Sequence, residues 1–200
     1  MKTATALLLS LTGILLTGCI NLEPEPDDTR RFALGPVSQA EARLNKAGGH
    51  ALYLMPPHLP TYLERNELLY RTGRGEVVAL PTARWAEPLA DGVARTFAHY
   101  LDAQPDIEVA GYYPWPQPAG PSARLTLKFS RFDATEDGRV QSIVFWSLRL
   151  PDGSRRAGTL EGKTISWEVG APESLVAAQN QALEALAESL GEALRGALRP

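Results

Sequence analysis

Alternating apolar and polar residues predict a meander of three strands in the second half of the chain. The segment Arg124–Arg131 alternates strictly, which puts Leu125, Leu127 and Phe129 on one face of a strand and charged residues on the other. Two further segments, 140–150 and 159–169, alternate in the same way, and turns at 136–138 and 151–154 separate the three. Their apolar faces would carry Val144, Trp146, Leu148 and Leu150 in one strand and Ile165, Trp167 and Val169 in the next.

Shorter β-prone runs predict the remaining strands. Ala51–Met55 is apolar throughout and stops at a proline pair, which is typical of a central strand buried on both faces. The runs 67–71 and 76–80 flank a turn that contains glycines, which predicts a hairpin that ends at Pro81. Two further strands are predicted: 31–34, which opens the domain, and 107–112, which leads into an aromatic, proline-rich loop at 113–118.

A four-residue apolar period predicts two amphipathic helices. Trp85, Leu89, Val93, Phe97 and Leu101 form a stripe that places the first helix over 82–103. The second begins at Pro172-Glu173, with proline and an acidic residue in the first turn. Its stripe consists of Leu175, Leu183, Leu186, Leu190, Leu194 and Leu198. The loop 37–49 has helical character around 39–45.

Together these elements predict an α+β fold. We expect a single domain in which a mostly antiparallel sheet carries two long amphipathic helices on one face. The other face would be solvated or covered by a partner.

The N-terminus has the pattern of a secretory signal peptide. Lys2 precedes an apolar run from Ala4 to Leu16 and small residues follow it, while the run is shorter than the roughly 20 residues of a membrane-spanning helix. Residues 21–30 are polar and Pro-rich, which is typical of a flexible tether. We therefore predict a signal peptide at 1–18, a tether at 19–30 and one domain at 31–200.

Charge and cysteine content exclude several classes of function. The formal net charge is −3, and removing Lys2 with the signal peptide makes it −4, so nucleic acid is a poor candidate partner. Cys19 is the only cysteine, which leaves no disulfide and no cysteine metal site. A Gly-rich phosphate loop, a G-x-S-x-G elbow and an H-E-x-x-H motif are absent from the sequence. We expect no enzyme activity, no catalytic residue, no metal site and no cofactor; a periplasmic hydrolase would lack a recognisable nucleophile and base.

The most unusual local sequence is His58–Arg71, followed by Arg84-Trp-Ala-Glu-Pro-Leu. It mixes aromatic, charged and proline positions without a clear apolar face, and Arg65 and Arg71 have Glu64, Glu67 and Glu87 as candidate partners. One interpretation is a structural corner between strands. The other is a docking surface, because Tyr, Trp and Arg most often anchor interfaces.

Two sets of residues carry resemblances to known proteins. Leu16-Thr17-Gly18-Cys19 resembles the bacterial lipobox, in which cleavage precedes a cysteine that then carries lipid, including palmitate, on sulfur and nitrogen. An ordinary signal peptide with an incidental cysteine is the alternative. Pro60-Thr-Tyr-Leu-Glu-Arg65, Arg71 and Trp85-Ala-Glu-Pro-Leu89 behind that lipobox resemble the PqiC/YmbA family of ABC-type transport auxiliary lipoproteins. Asn66 stands where this resemblance leads us to expect a proline.

The resemblance implies a non-enzymatic subunit of an intermembrane lipid transport system built around MCE-domain proteins, which supports outer membrane integrity. It implies lipid attachment at Cys19, partners that include an MCE-domain protein and its associated membrane subunits, and it allows a homo-oligomer. Ile20 follows Cys19 where aspartate would resemble an inner-membrane retention signal, so the periplasmic face of the outer membrane is expected. The residues carried over as a structural corner or partner contact are Tyr62, Leu63, Glu64, Arg65, Trp85, Glu87 and Pro88.

An alternative function is a free-standing periplasmic lipid-binding lipoprotein. In this interpretation Trp85, Trp146 and Trp167 line a pocket for an acyl chain. The same aromatic residues lie on stripes that the sheet and helices need for a hydrophobic core.

Overall fold

The structure, a computed structural model, describes residues 27–35 and 50–198. The signal peptide, Cys19, residues 20–26 of the tether, residues 36–49 and the last two residues therefore lie outside the described residues. The described residues form nine strands and two α-helices: β1 Arg30–Phe32, β2 His50–Leu54, β3 Glu67–Arg71, β4 Val77–Trp85, α1 Leu89–Asp102, β5 Ile107–Tyr112, β6 Ala123–Thr135, β7 Arg139–Arg149, β8 Arg155–Glu161, β9 Ile165–Ser166 and α2 Pro172–Leu198.

Two long antiparallel strands, β6 and β7, form the centre of the sheet. One edge of β6 carries two shorter strands in sequence, because β2 pairs with it at Ala123–Leu125 and β3 pairs with it at Thr135. His58 makes a single bridge to Lys128 between them. The free edge of β7 is divided in the same way between β8 and β9. Each long strand therefore supports two short ones.

The sheet is mixed, which corrects the expectation of a mostly antiparallel one. β1 pairs in parallel with β4, β2 pairs in parallel with both β5 and β6, and β3 pairs in parallel with β6. The pairs β3–β4, β6–β7, β7–β8 and β7–β9 are antiparallel. The parallel pairs arise because α1 and long loops carry the chain back across the sheet before the next strand begins.

The hairpin strand β4 runs four residues beyond Pro81 and includes Trp85, so the predicted helix at 82–103 starts too early. α1 begins only after Pro88, whose ring disfavours a helical conformation in the residue before it. Pro81 is tolerated because the pairing with β3 is irregular between Glu67 and Leu69. Thr82 follows with a φ of 55°, which is uncommon for a residue with a side chain.

The third strand of the meander also differs from its prediction. It is β8, at Arg155–Glu161, and the chain then turns away at Gly162 before the two-residue β9. Gly162 donates its amide to Ser142 O at 2.8 Å, and a Cβ there would lie 2.1 Å from Ser142 Oγ. Trp167 is buried as expected, whereas Val169 is 47% exposed because β9 has already ended.

The core lies between the inner face of the sheet and the two helices. Leu125, Leu127 and Phe129 of β6 are buried on this face. The helical stripes pack against them through Leu89, Val93, Phe97 and Leu101 of α1 and Leu175, Leu183, Leu186, Leu190 and Leu194 of α2. Among the described residues, no helix combines the length and hydropathy needed to cross a bilayer.

A β-bulge in β6 changes which residues point inward. The register with β7 shifts between Phe129 and Arg131, so Phe129 and Phe132 are both buried although they are three residues apart. Their rings lie 5.6 Å apart. After the bulge, Arg131, Asp133 and Thr135 occupy the outer face, where Arg124, Thr126 and Lys128 lie before it.

Candidate functional site

A cleft of about 660 Å³ lies where the start of β3, the end of β4 and β1 meet. Backbone hydrogen bonds close this junction: Trp85 N donates to Asn66 O at 2.6 Å, and Ala86 N donates to Phe32 O at 2.7 Å. The cleft is lined by Thr29, Arg31, Glu64, Arg65, Asn66, Glu67, Arg84, Trp85, Ala86, Glu87 and Pro88.

Five of the seven residues singled out in the sequence line this cleft: Glu64, Arg65, Trp85, Glu87 and Pro88. Trp85 is 7% exposed and Pro88 directly precedes α1, so both are parts of its wall. Tyr62 and Leu63 lie elsewhere. Leu63 is in the hydrophobic core, and the Tyr62 hydroxyl donates a hydrogen bond to Asp133 Oδ1.

The ion pairs at the cleft do not include Arg31 or Arg84, although Arg84 Nη1 donates a hydrogen bond to Ala83 O at 2.9 Å. Arg65 Nε lies 3.3 Å from Glu67 Oε2, and Arg95 from α1 pairs with Glu87. The hydrogen bond from its own amide lowers the pKa of Glu67, and the nearby Arg65 and Arg84 lower it further. Within the described ranges, neither Arg31 nor Arg84 has a carboxylate oxygen within 4 Å.

Arg71 does not pair with any of the glutamates considered from the sequence. Its Nη1 lies 2.9 Å from Oδ2 of Asp133, and the side chain of Asp133 is only 2% exposed. Arg131 Nε is 3.7 Å from the same oxygen. The Arg71 guanidinium also lies 5.8 Å from the centre of the Tyr62 ring. Asp133 therefore holds the corner, residues 60–66, onto the outer face of β6.

This network changes the acid–base properties of its members. Burial, and then the hydrogen bond to Asp133, raise the pKa of Tyr62 to about 12. The hydrogen bond and the charge of Asp133 raise the pKa of Arg71 above its usual value. The phenol and the guanidinium therefore keep their protons, and the network is a structural fastening rather than a proton-transfer device.

Sequence reasoning missed Asp133, because the predicted strand ended at Arg131. The spacing of Phe129 and Phe132 was the available signal, since two buried residues three apart in a strand indicate a bulge. A bulge there brings residue 133 to the outer face. Arg31 and Arg84 carried no such signal, because only the parallel pairing of β1 with β4 brings them to the cleft.

The three tryptophans that were considered as the lining of a lipid pocket lie in separate parts of the domain. Trp85 lines the cleft, Trp146 lies across Gly158 on the neighbouring strand, and Trp167 packs on Tyr70 with ring centres 5.9 Å apart. The three tryptophans thus contact different elements. Over residues 27–35 and 50–198, no group of three or more His, Cys, Asp or Glu side chains is arranged to hold a metal ion.

Two proteins of known crystal structure share the fold of this chain. An uncharacterized protein of known crystal structure has a TM-score of 0.65 at 18% identity, covering 83% of this chain and 99% of its own. A Xanthomonas campestris protein of the DUF330 family has a TM-score of 0.51 at 15% identity, covering 82% and 90%. These likenesses show the fold alone.

No curated protein matches the chain. Residues 32–191 match the family described as "ABC-type transport auxiliary lipoprotein component". This match spans β2 to β9, all of α1 and most of α2, together with every cleft residue except Thr29 and Arg31. The chain therefore belongs to the family of ABC-type transport auxiliary lipoproteins, the PqiC/YmbA type.

Proposed function

We propose that this chain is a non-enzymatic accessory subunit of an MCE-type intermembrane lipid transport system. In this proposal Cys19 carries the lipid anchor, the domain lies at the periplasmic face of the outer membrane, and the complex supports outer membrane integrity. Membership of the auxiliary lipoprotein family and the lipobox-like sequence before Cys19 support it. No metal or cofactor is part of it, apart from the covalent lipid.

The observation that carries the proposal is the cleft. It gathers residues from β1, β3, β4 and the corner, and its lining includes Trp85 together with Arg31 and Arg84, which have no carboxylate partner among the described residues. Arginine and tryptophan are the side chains that most often dominate binding energy at interfaces. Guanidinium groups form paired hydrogen bonds with carboxylates. The cleft therefore suits an acidic segment of a partner protein, which we propose to be the MCE-domain protein.

Site-specific photocrosslinking in cells tests this contact. A photoreactive residue at the exposed Asn66 should crosslink to an MCE-domain protein, because Asn66 lines the cleft. The same residue at the exposed Asp152, in the turn between β7 and β8, is the control and should give no such product. Absence of a product at Asn66, or equal products at both positions, would contradict the proposed contact.

A charge reversal tests the role of the cleft arginines that have no carboxylate partner. Arg84→Glu should reduce recovery of the partner with the lipoprotein, because it would repel an acidic segment. Arg74→Glu reverses an exposed charge in the turn between β3 and β4, at the opposite end of this hairpin from the cleft, and is the matched control. Equal recovery from the two variants would remove the cleft from the proposal.

The anchor has a separate test. Cys19→Ser should move the protein from the outer-membrane fraction to the soluble periplasmic fraction without changing its thermal unfolding, since Cys19 precedes the domain matched to the family. A protein that stays with the membrane, or that loses its fold, would contradict lipid attachment at this residue.

A free-standing lipid-binding protein is the second candidate, and the positions of the tryptophans do not favour it. Trp85, Trp146 and Trp167 are each 7% exposed or less and contact different elements, so they do not line a shared pocket. Native mass spectrometry of the purified lipoprotein would revive this candidate if it detected a non-covalently bound phospholipid.

A further inference from the structure

The loop after β5 exposes two aromatic side chains on a fixed backbone. Tyr113 is 49% exposed and Trp115 is 63% exposed. Tyr113 N donates to Leu54 O at 3.0 Å, and the buried Tyr53 hydroxyl donates to Trp115 O at 2.6 Å. We call residues 113–122 the aromatic loop. Its four prolines limit backbone freedom further: Pro114, Pro116, Pro118 and Pro121.

The aromatic loop is the centre of an uncharged stretch. Residues 109–123 contain no Asp, Glu, Lys, Arg or His, although charged residues make up 22% of the chain. A loop that exposes tryptophan and tyrosine without charges resembles the aromatic belts of membrane proteins, where these side chains lie at the level of the lipid headgroups.

A row of arginines borders the aromatic loop on the outer face of the sheet. Arg124 of β6 is the register partner of Arg149 of β7, and Arg149 is the register partner of Arg155 of β8. Residues directly opposite each other share a face, with neighbouring strands about 4.8 Å apart. We call these three residues the arginine row.

The arginine row and the aromatic loop share one surface. Arg124 and Arg149 line a depression of about 360 Å³ together with Gln117 and Pro118 of the loop. Arg124 Nη2 donates to Gln117 Oε1 at 3.0 Å. In the part of the chain that the structure describes, none of the three arginines has a carboxylate within 4 Å.

Like charges directly opposite each other destabilise a sheet, so an arginine row without acidic partners favours an external anion. Phosphate is a preferred partner of guanidinium groups, and basic residues bind anionic membrane surfaces. We propose that the aromatic loop and the arginine row contact the headgroup region of an anionic phospholipid bilayer. Trp115 and Tyr113 would enter the interface while the three arginines bind lipid phosphates. This orients the domain on the membrane and rests on the lipid anchoring in the proposed function.

Fluorescence quenching tests the proposal on the intact lipoprotein. The full-length lipidated protein is reconstituted into vesicles of phosphatidylethanolamine and phosphatidylglycerol, with or without dibrominated acyl chains, which quench nearby tryptophan. Brominated vesicles should quench the wild type, and Trp115→Ser should abolish most of that quenching. Trp85, Trp146 and Trp167 are nearly buried and remain as internal references.

Two controls separate the surface from its alternatives. Phe145→Ser removes an aromatic side chain that is 48% exposed elsewhere on the outer face, and it should leave the quenching unchanged. The double variant Arg124→Gln, Arg149→Gln should weaken quenching, as should vesicles without phosphatidylglycerol. If neither does, the arginine row is not a phosphate site and that half of the proposal is wrong.

Wild-type quenching that is absent or equal to that of Trp115→Ser would overturn the membrane contact and leave the loop as a surface for a protein partner. Co-flotation of the protein with the vesicles reports the Cys19 anchor independently. A failure of the loop proposal is therefore distinguishable from a failure of the proposed anchoring.

Discussion

The corner and the aromatic loop both contact β6, but different interactions hold them in place. The corner, residues 60–66, lies over the half of β6 after the bulge and is fastened by charged side chains around the buried Asp133. The aromatic loop, residues 113–122, lies beside the half before the bulge and is fastened by backbone groups and the Tyr53 hydroxyl.

The two regions use their side chains differently: those of the corner hold the backbone in place, whereas those of the aromatic loop are exposed. Tyr62 and Arg71 hold the corner through their contacts with Asp133. These few polar contacts therefore fix the position of the corner residues that line the cleft. The side chains of Tyr113 and Trp115 do not hold the aromatic loop, which leaves them free for an external contact. The comparison predicts that substitutions in the corner network destabilise the fold, whereas those at exposed loop positions do not.

The largest expected effect is that of Arg71→Leu. It leaves the Asp133 carboxylate, 2% exposed, without its nearest cation. Because Arg71 is itself 37% exposed, the cost should not exceed the low end of the range for breaking a buried pair, about 3 kcal/mol. Urea unfolding followed by circular dichroism measures the free energy of unfolding. Arg139→Leu is the matched control, since Arg139 and Asp137 are both more than half exposed and their ion pair should contribute little. A similar small loss for both variants would mean that the corner is not held by Asp133.

The second largest effect should be a loss of stability at alkaline pH, caused by ionisation of Tyr62 in the corner. Because the pKa of Tyr62 is about 12 in the folded protein against 10.0 ordinarily, the folded state holds this proton more tightly than the unfolded state. The stability contributed by Tyr62 is therefore fully present below pH 10 and is lost as pH rises through about 12. Tyr62→Phe should cost about 2 kcal/mol at neutral pH, the value of a hydrogen bond to a charged group, and should reduce the fall between pH 10 and 12. An unchanged pH profile would show that Tyr62 is not the titrating group.

Tyr53→Phe should have a smaller effect on the aromatic loop. It removes one neutral hydrogen bond to Trp115 O, worth about 1 kcal/mol, while backbone contacts such as that of Tyr113 N with Leu54 O remain. Hydrogen exchange should show faster exchange in residues 113–119 and no change in the corner. Faster exchange at 60–66 as well would mean that the two regions are coupled.

Trp115→Ser should have the smallest effect. The Trp115 side chain is 63% exposed, and the hydrogen bond from Tyr53 goes to the backbone oxygen of Trp115. The free energy of unfolding, measured by thermal unfolding, should therefore change by less than about 0.5 kcal/mol. A clear loss of stability would show that the indole packs on the domain and is not available for a membrane.

Part of the cleft was visible in the sequence, because His58–Arg71 has no clear apolar face and the family resemblance adds Trp85–Pro88 to it. Arg65 pairs with Glu67, one of the partners considered from the sequence, and Glu87 pairs with Arg95 in the following helix. The partner of Arg71 was not visible, because Asp133 lies 62 residues further along the chain and follows a bulge that reverses the alternation of β6. Contacts between residues far apart in the chain have no local signal unless a period is interrupted.

The sequence by itself determined the α+β class, most of the strands, the second helix and its buried stripe, because each depends on a local alternation of apolar and polar side chains. It also carried the family resemblance that the match over 32–191 confirmed. Only the tertiary structure decided the parallel pairings, the extension of β4 through Pro81 to Trp85, and the placing of two short strands along each long one. Register between distant strands is set by core packing and hydrogen bonding across the whole sheet, and no single segment contains that information.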